Sequence, residues 1–288
     1  MAIEIDPLTP VIGAEIHGAV LHDLAESQYQ DIWQAFTDHS VIFFHDQAKL
    51  SPEQQTAFAQ RFGEIHIHPA ARGKETLHPG IMNMKVGKDT EVAAGNRWYS
   101  DVYCDAEPPQ ASILQLHTIP TLGGDTLFSS LYAAYDVLSP AMKIYLDGLT
   151  AKYSGKEPFR NLFKFKNSVA DGWPENDHPI VRKHVDSGRP ALFVDREFTQ
   201  SINDIPKDEG RALLNFFFST TRNGWRSNVV SGGVRMLSRS GTTAVYYTMR
   251  CGTTGQMNAW VVASQSKGSG PSRGIWVKTP SPTRPRAL

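Results

Sequence analysis

The chain has 288 residues, 40% of them hydrophobic, which is enough for one large domain or two small ones. Its 29 basic and 29 acidic residues cancel, so the overall charge indicates neither a nucleic-acid partner nor a membrane partner. The first ten residues carry two acids and no apolar core, and no apolar run approaches the roughly 20 residues of a membrane span. With two cysteines there is no disulfide framework, so we expect a protein of the reducing cytoplasm without a signal peptide.

The neutral total hides an uneven distribution of charge. Glu209 is the last acidic residue, and eleven of the 29 basic residues follow it. That leaves 18 basic against 29 acidic residues, a net charge of −11, in residues 1–209. The last histidine is His184. Such a shift in composition marks a boundary or a segment of different origin.

The first part of the chain predicts short strands and helices. Thr9–Leu21 alternates apolar and small residues, which is typical of strands, with turns at Gly13 and Gly18. Apolar residues at helical spacing predict an amphipathic helix over Ser27–His39. Val41–Phe44 is a short apolar run of β-forming residues and predicts a buried strand.

Serine, proline and glycine mark where further predicted helices and strands begin and end. Ser51, followed by a proline and an acid, predicts the start of a helix that runs to Arg61 and ends at Gly63. Many short strands, with helices mostly at the front, predict a mainly β fold with covering helices (α+β), arranged as an antiparallel jelly roll. The later predicted elements are strands Ile81–Val86, Ala111–Leu116 and Thr126–Phe128, helices Leu131–Leu138, Ser139–Leu146 and Lys207–Ser219, and a hairpin of Pro179–Val185 with Ala191–Val194.

Two stretches carry motifs that can be recognised. Trp98–Val102 reads W-Y-S-D-V and is followed by C-D-A-E-P-P at Cys104–Pro109, while Gly123–Leu127 reads G-G-D-T-L. Together they resemble motifs of the taurine dioxygenase / 2,4-dichlorophenoxyacetate dioxygenase family, the iron(II)- and 2-oxoglutarate-dependent oxygenases. The resemblance covers roughly Thr9 to Asn223 and implies a double-stranded β-helix, the jelly roll of that family.

The resemblance assigns iron to the first motif, which in the family reads W-H-[ST]-D-V. Its His and Asp are two arms of a 2-His-1-carboxylate triad. Here the carboxylate is present as Asp101, whereas Tyr99 stands at the histidine position. On a strand, residues at i and i+2 would point into one cavity. A phenol with a pKa of about 10 must lose its proton to bind, and phenolate favours oxidised iron, so we expect Tyr99 to impair the site.

Three other residues match family positions in the same way. Thr126 occupies the position whose hydroxyl binds the carboxylate of 2-oxoglutarate, although an ordinary strand threonine would fit the same pattern. His66 and His68 form an H-x-H pair, which alone could be a metal site but is more often two hydrogen-bonded histidines. By resemblance His68 lines the substrate pocket, and Asn96 is a weaker candidate for the same pocket.

The family also needs a distal His for the triad and, about ten residues later, an Arg that clamps 2-oxoglutarate. The chain as written holds neither, because no histidine follows His184 and no W-D-N-R…H-Y stretch exists. When Gly241–Gly268 is back-translated and read one frame away, allowed codons give D-N-R-C-I-L-H-Y-A-V-W-D-Y-W-P-N-E-R. That string is the family's distal motif. We infer that the reading frame changes after about Arg222 or Asn223, either in the gene or in the sequence record.

These observations predict a jelly-roll domain over 1–223 that is incomplete at its C-terminus, followed by an aberrant, poorly ordered or poorly packed tail over 224–288. The resemblance implies hydroxylation of a small, acidic substrate, such as a taurine-like sulfonate, an alkyl sulfate or an aryloxyacetate. Fe(II), 2-oxoglutarate and O2 would take part, and a homodimer or homotetramer is a further expectation. Two rival hypotheses stay open: a catalytically inactive remnant, and a cupin-like module that binds a small anion.

Overall fold

A computed structural model describes residues 2–72, 76–84, 98–117, 126–162, 172–223, 234–236, 243–247, 251–254 and 272–278. Short strands and helices alternate along these residues. In chain order they are β1 (Glu4–Pro7), β2 (Ala14–His17), α1 (Glu26–His39), β3 (Val41–Phe44), α2 (Pro52–Gln60), β4 (Glu64–His66), β5 (Ile81–Met84), β6 (Ala111–Gln115), β7 (Thr126–Ser130), α3 (Leu131–Asp136), α4 (Pro140–Leu146), β8 (Thr150–Ser154), β9 (Glu175–Pro179), β10 (Val181–Lys183), β11 (Pro190–Leu192), β12 (Thr199–Ile202), α5 (Lys207–Asn223), β13 (Val234–Met236), β14 (Thr243–Tyr247), β15 (Cys251–Thr254) and β16 (Ser272–Lys278).

The two long front helices begin and end where their sequences predict. The Ser51 hydroxyl accepts the Gln54 N–H at 3.2 Å and the Gln54 side chain accepts the Ser51 N–H at 2.8 Å, so a reciprocal capping box starts α2. Helix α1 ends at Ser40, whose N–H still donates to the Phe36 carbonyl and whose left-handed φ of 65° then turns the chain out of the helix. Both helices therefore confirm the sequence prediction within a residue or two.

A large mixed sheet forms the framework of the fold. Its strands run in the order β1-β2-β3-β14-β6-β16-β4, and β5 pairs with β16 beside β4. Three smaller sheets accompany it among the described residues: β13-β7-β15, β12-β8-β9 and the β10-β11 pair. The last pair confirms the predicted hairpin, and the mixture of sheets and covering helices confirms the α+β class.

Four strands come from the segment that the sequence analysis assigns to an aberrant tail. β14 lies between β3 and β6, and β16 lies between β6 and the β4/β5 edge. β13 and β15 flank β7 in a second sheet. The expectation that the chain lacks the last strands of the fold is therefore wrong for the backbone. Strand pairing uses main-chain groups that every residue except proline supplies, so it tolerates an unusual sequence. The division of the chain at residue 223 stays a prediction.

The two faces of the large sheet bury different parts of the molecule. On β3, Ile42 and Phe44 join the core formed with α1 and α2, because side chains alternate along a strand. Phe43 points to the opposite face and packs edge-on against Phe128 of β7, with ring centroids 5.9 Å apart. We call the face that carries Phe43 the interior face, since it looks toward the smaller sheets. The candidate site lies on this side.

Some elements were not expected from the sequence. Strands β8, β9 and β12 form a sheet of their own, although no strand is predicted from the sequence at β8 or β12. At the front, β1 begins at Glu4, ahead of the predicted Thr9, while Gly13 and Gly18 adopt φ of 90° and 76° at the predicted turns. Across the described residues, no helix has the length and hydropathy that crossing a membrane requires.

Candidate functional site

The segment predicted to carry the iron ligands is a turn in the structure. Tyr99 makes one isolated bridge, and residues 101–104 turn so that the Asp105 N–H reaches the Val102 carbonyl at 3.0 Å. Val102 has a φ of 54°, in the left-handed region that β-branched residues rarely adopt. The strand geometry expected for Tyr99 and Asp101 is therefore wrong, and a strained turn presents Asp101 instead.

Asp101 is buried against the middle of the large sheet. Its side chain accepts a hydrogen bond from Ser112 Oγ, with 2.6 Å between Oγ and Oδ2, and the residue is 9% exposed. Ser112 lies on β6 and is paired through β14 with Val41. Partners in register project to the same face of a sheet, and Val41 shares the face of Phe43. Asp101 thus faces the interior side of the sheet.

A second carboxylate holds the backbone just before Asp101. The Ser100 N–H donates to Asp195 Oδ2 at 3.2 Å, and the Phe198 N–H donates to the other oxygen at 2.7 Å. Asp195 is buried, and this burial raises its pKa from 3.8 to about 7 despite the two hydrogen bonds. The carboxyl group therefore anchors the motif turn to the loop between β11 and β12.

A third aspartate, Asp105, is hydrogen-bonded to three side chains. Its Oδ2 accepts from His66 Nε2 at 2.7 Å and from Arg72 Nη2. Its carbonyl oxygen lies 2.9 Å from His178 Nε2. Burial disfavours the charged form of Asp105, but the hydrogen bond from His66 and the charge of Arg72 outweigh it, so the pKa of this carboxyl is lowered.

Thr126 opens strand β7 and faces the interior. It lies two residues before Phe128, which contacts Phe43, so the two β7 side chains share one face. Thr126 is 3% exposed, and its Oγ1 is a buried atom without a hydrogen-bond partner among the described residues. Buried hydroxyls are ordinarily paired, so this atom is available to a ligand carboxylate. The arrangement fits the role that the family resemblance assigns.

The remaining predicted residues divide into two groups. His68 is buried, accepts the Ala70 N–H at 3.1 Å and packs edge-on against Phe159. These contacts give it a structural role that does not depend on a substrate. His66 is hydrogen-bonded to Asp105, in line with the structural alternative for the H-x-H pair. Asn96 lies outside the described residues.

The side chains present do not complete the family's iron site. No group of three His, Cys, Asp or Glu side chains within the described ranges could hold a metal ion. Asp101 supplies one carboxylate arm, half-buried Tyr99 offers a phenol where the family has an imidazole, and the sequence has no histidine after His184. This donor set falls short of the 2-His-1-carboxylate triad.

Residues 4–230 match the model of the family described as "Taurine catabolism dioxygenase TauD, TfdA family". The chain belongs to this family. The match ends at residue 230, a few residues beyond the predicted change of reading frame. The TauD/TfdA motifs that we identified in the sequence therefore lie inside the matched part, and the sequence from 231 onward lies outside it.

Individual relatives show the same limits. The chain is 27% identical over 227 residues to an alpha-ketoglutarate-dependent sulfonate dioxygenase of Saccharomyces cerevisiae, covering 75% of this chain and 55% of the relative. It is 29% identical over 234 residues to the 2,4-dichlorophenoxyacetate dioxygenase of Cupriavidus pinatubonensis, covering 74% and 80%. The chain spans between 55% and 62% of the length of three fungal relatives.

The fold comparison extends further along the chain than the sequence comparison. A taurine dioxygenase from Burkholderia xenovorans superposes with a TM-score of 0.76 at 26% identity, covering 97% of this chain and 90% of that one. The TauD/TfdA backbone thus continues past the point where the sequence match stops. The continuation agrees with the tail strands β14 and β16 in the large sheet.

Sequence reasoning missed three residues that shape the site. Asp105 lies within the quoted C-D-A-E-P-P run, so its position was visible although its partners were not. Ser112 is one of two polar residues in the buried strand β6, and these exceptions to the apolar pattern were a usable signal. Asp195 is 95 residues from Ser100 in the chain, and no local pattern indicates such a contact.

Proposed function

We propose that this chain is, by family, a Fe(II)- and 2-oxoglutarate-dependent dioxygenase that hydroxylates a small, acidic substrate, and that its own turnover is strongly impaired. The names of its relatives support the class: sulfonate, sulfate-ester and phenoxyacetate dioxygenases. The observation that carries the proposal is Asp101, a buried carboxylate bonded to Ser112 inside the matched segment. The jelly-roll topology, O2 as co-substrate, cytoplasmic location and a homodimer or homotetramer belong to the same proposal.

The family reaction couples oxidation of the substrate to conversion of 2-oxoglutarate into succinate and CO2. In this chain Asp101 would supply a carboxylate for the metal, the Thr126 hydroxyl would bond a carboxylate of 2-oxoglutarate, and His68 would line the substrate pocket. The donor set around Asp101 lacks both imidazoles of the family's triad, so it does not complete the metal site that this reaction needs.

The second candidate function is an inactive member that still binds 2-oxoglutarate. Two observations favour it: Tyr99 stands in place of the ligand histidine, and the buried Thr126 hydroxyl has no hydrogen-bond partner in the part of the chain that the structure describes. Retained binding without turnover would place the chain among small-anion binding modules. Loss of both binding and turnover would make it a remnant of the family.

One set of measurements separates these outcomes. The purified chain is incubated with Fe(II), ascorbate, 2-oxoglutarate and a panel of sulfonates, alkyl sulfates and aryloxyacetates, and succinate is measured. We expect no more than trace, substrate-dependent succinate. Succinate at the level of the Cupriavidus relative, assayed in parallel, would overturn the impairment.

Thermal unfolding with and without 2-oxoglutarate then tests the binding. A ligand that binds only the native state raises the melting temperature with its concentration. We expect a rise that is lost in Thr126→Val, which keeps the side-chain volume but removes the hydroxyl. No rise in the unaltered chain would exclude the binding module and leave the remnant.

A further inference from the structure

The residue after Asp101 carries a backbone conformation that needs support. Val102 has a φ of 54°, and its side chain is 2% exposed within the core cluster that includes Tyr103 and Cys104. A β-branched residue reaches this region only at a cost in strain, and such outliers persist where the surrounding structure holds them. Because Asp101 is the neighbour of Val102, whatever holds Val102 also sets the direction of Asp101.

Asp105 makes the contacts that can hold this turn. Its N–H closes the turn on the Val102 carbonyl at 3.0 Å. Its carboxylate is bonded to His66 at 2.7 Å and to Arg72, and its own carbonyl is bonded to His178 at 2.9 Å. The residue is 7% exposed, so these charge-assisted hydrogen bonds lie largely out of water and are stronger than surface pairs.

The sheet register brings the two carboxylates of the motif to one row of side chains. Trp276 of β16 is paired with Ser112 of β6 on one side and with His66 of β4 on the other. Residues in register share a face, so Ser112 and His66 both project from the interior face, two strands apart. Ser112 is bonded to Asp101, and His66 is bonded to Asp105. The turn is therefore bonded to the large sheet at two side chains, Ser112 and His66.

We propose that Asp105 is a positioning residue that keeps Val102 left-handed and thereby directs the carboxylate of Asp101 to Ser112 and the interior. Asp105 acts through the backbone of the turn and through His66 and Arg72. The functional importance of this direction rests on the proposed function, but the positioning is measurable from amide exchange and unfolding, without turnover.

Amide hydrogen exchange at residue 105 reports directly on the bond that closes the turn. In Asp105→Asn the side chain loses its charge, and an NH2 group replaces either the oxygen that accepts from His66 and Arg72 or the oxygen that accepts from the Ala106 N–H, so the side-chain anchor is weakened. We expect exchange at residue 105 to accelerate by about tenfold or more beyond the change in global stability measured by denaturant unfolding. Exchange in helix α1, whose buried residues belong to the core on the other face of the large sheet, should follow global stability alone.

Glycine at position 102 supplies the decisive comparison, because glycine adopts a positive φ without strain. In Val102→Gly/Asp105→Asn, we expect exchange at residue 105 to return to within about threefold of Val102→Gly alone, since the turn then persists unaided. A merely structural Asp105 predicts no such rescue. Acceleration that survives in the glycine background, or no acceleration in Asp105→Asn, would overturn the proposal.

Two further variants keep the test informative if Asp105→Asn fails to fold. Arg72→Gln removes one of the two side-chain contacts at a residue near the surface, and we expect a smaller acceleration at residue 105 that glycine at 102 also rescues. Asp208→Asn is the matched control. It removes a carboxylate bonded to Arg211 at 2.7 Å on the exposed face of α5, and it should leave residue 105 unchanged.

Discussion

The body of the chain, residues 2–223, and the tail beyond it contribute to the same large sheet in different ways. The body supplies β3, β4, β5 and β6, and the tail inserts β14 and β16 between them. The buried carboxylates of the site, Asp101, Asp105 and Asp195, all come from the body. The tail has no acidic residue and no histidine anywhere in its sequence.

The difference teaches which property of a sequence is easily kept and which is easily lost. Pairing of strands uses main-chain N–H and C=O groups, so the tail can lie in the sheet although its sequence departs from the family. Binding a metal or clamping a carboxylate needs imidazole, carboxylate or guanidinium groups at defined positions. A change of reading frame can leave the first property in place while it removes the second.

Removing the tail has the largest expected effect. Strand β6 is paired with β14 on one side and with β16 on the other, so truncation after Asn223 leaves β6 without a neighbouring strand. We expect the truncated chain to lose cooperative unfolding and to aggregate, because it exposes unpaired strand edges around buried residues. Circular dichroism during thermal unfolding, with the full chain in parallel, measures this.

The opposite outcome would favour the domain boundary predicted from the sequence. If residues 1–223 unfold cooperatively at the same temperature as the full chain, the tail strands contribute nothing to stability. The region would then be an appendage in solution, and the body alone would be the folding unit.

Restoring the histidine tests the chemical side of the comparison. We expect Tyr99→His alone to give no substrate-dependent succinate, because the distal His and Arg are still absent from the tail. The same variant joined to a tail that encodes the D-N-R…H-Y string should turn over, since all three arms of the triad and the clamping Arg are then present. Succinate assays on these two variants, and on a third that combines Tyr99 with the repaired tail, measure the effect of the histidine and the effect of the tail separately.

Turnover by Tyr99→His with the unaltered tail would contradict the argument about the missing half. The coding DNA around residue 223 supplies an independent check. A gene that reads through this region in the frame of the distal motif would show that the tail sequence is an error of the record and that the natural enzyme holds the distal residues.

The sequence predicted the framework and the family far better than the contacts of the site. Ser51 and Pro52 mark the start of α2 through local capping chemistry, and the W-Y-S-D-V motif marks Asp101. Each of these signals is contained in a stretch of a few consecutive residues, so it can be recognised from the sequence. The turn at Val102 could not be read in the same way, since its conformation depends on Asp105, His66 and a distant strand. Long-range pairing decides such features, and a single sequence does not display it.

The pH dependence of stability should arise from the body, because the tail has no acid or histidine to titrate. Asp195 has a folded pKa of about 7 against 3.8 for the free group. Between these values the unfolded chain ionises while the folded chain keeps its proton, so stability is complete below pH 3.8 and falls as the pH rises toward 7. Asp195→Asn should remove this decline. The unfolding free energy of the variant, compared with that of the unaltered chain, should therefore rise by up to about 4 kcal/mol as the pH increases from about 4 to about 7.

Asp105 should behave in the opposite sense and serves as the control. Its pKa is lowered in the folded state, so its contribution is present above the pKa of the free group and is lost as the pH falls through the folded value. Denaturant unfolding from pH 3 to pH 8 of both Asp→Asn variants distinguishes them. Parallel pH profiles for the two variants would contradict the assignment of opposite environments.

The smallest expected effect tests the contact between body and tail at one side chain. Thr243 of β14 is fully buried, and its hydroxyl lies 3.5 Å from Gln115 Nε2 of β6. Thr243→Val keeps the shape and removes the acceptor, so a formed junction should lose about 0.5–1 kcal/mol of unfolding free energy. Thr56→Val, on the front helix α2 where the hydroxyl donates to the Pro52 carbonyl, is the matched change within the body. A cost at Thr56 with none at Thr243 would mean that the tail strand does not pack in the sheet as the structure shows, because removing a fully buried hydrogen bond should cost at least as much as removing the partly buried one at Thr56.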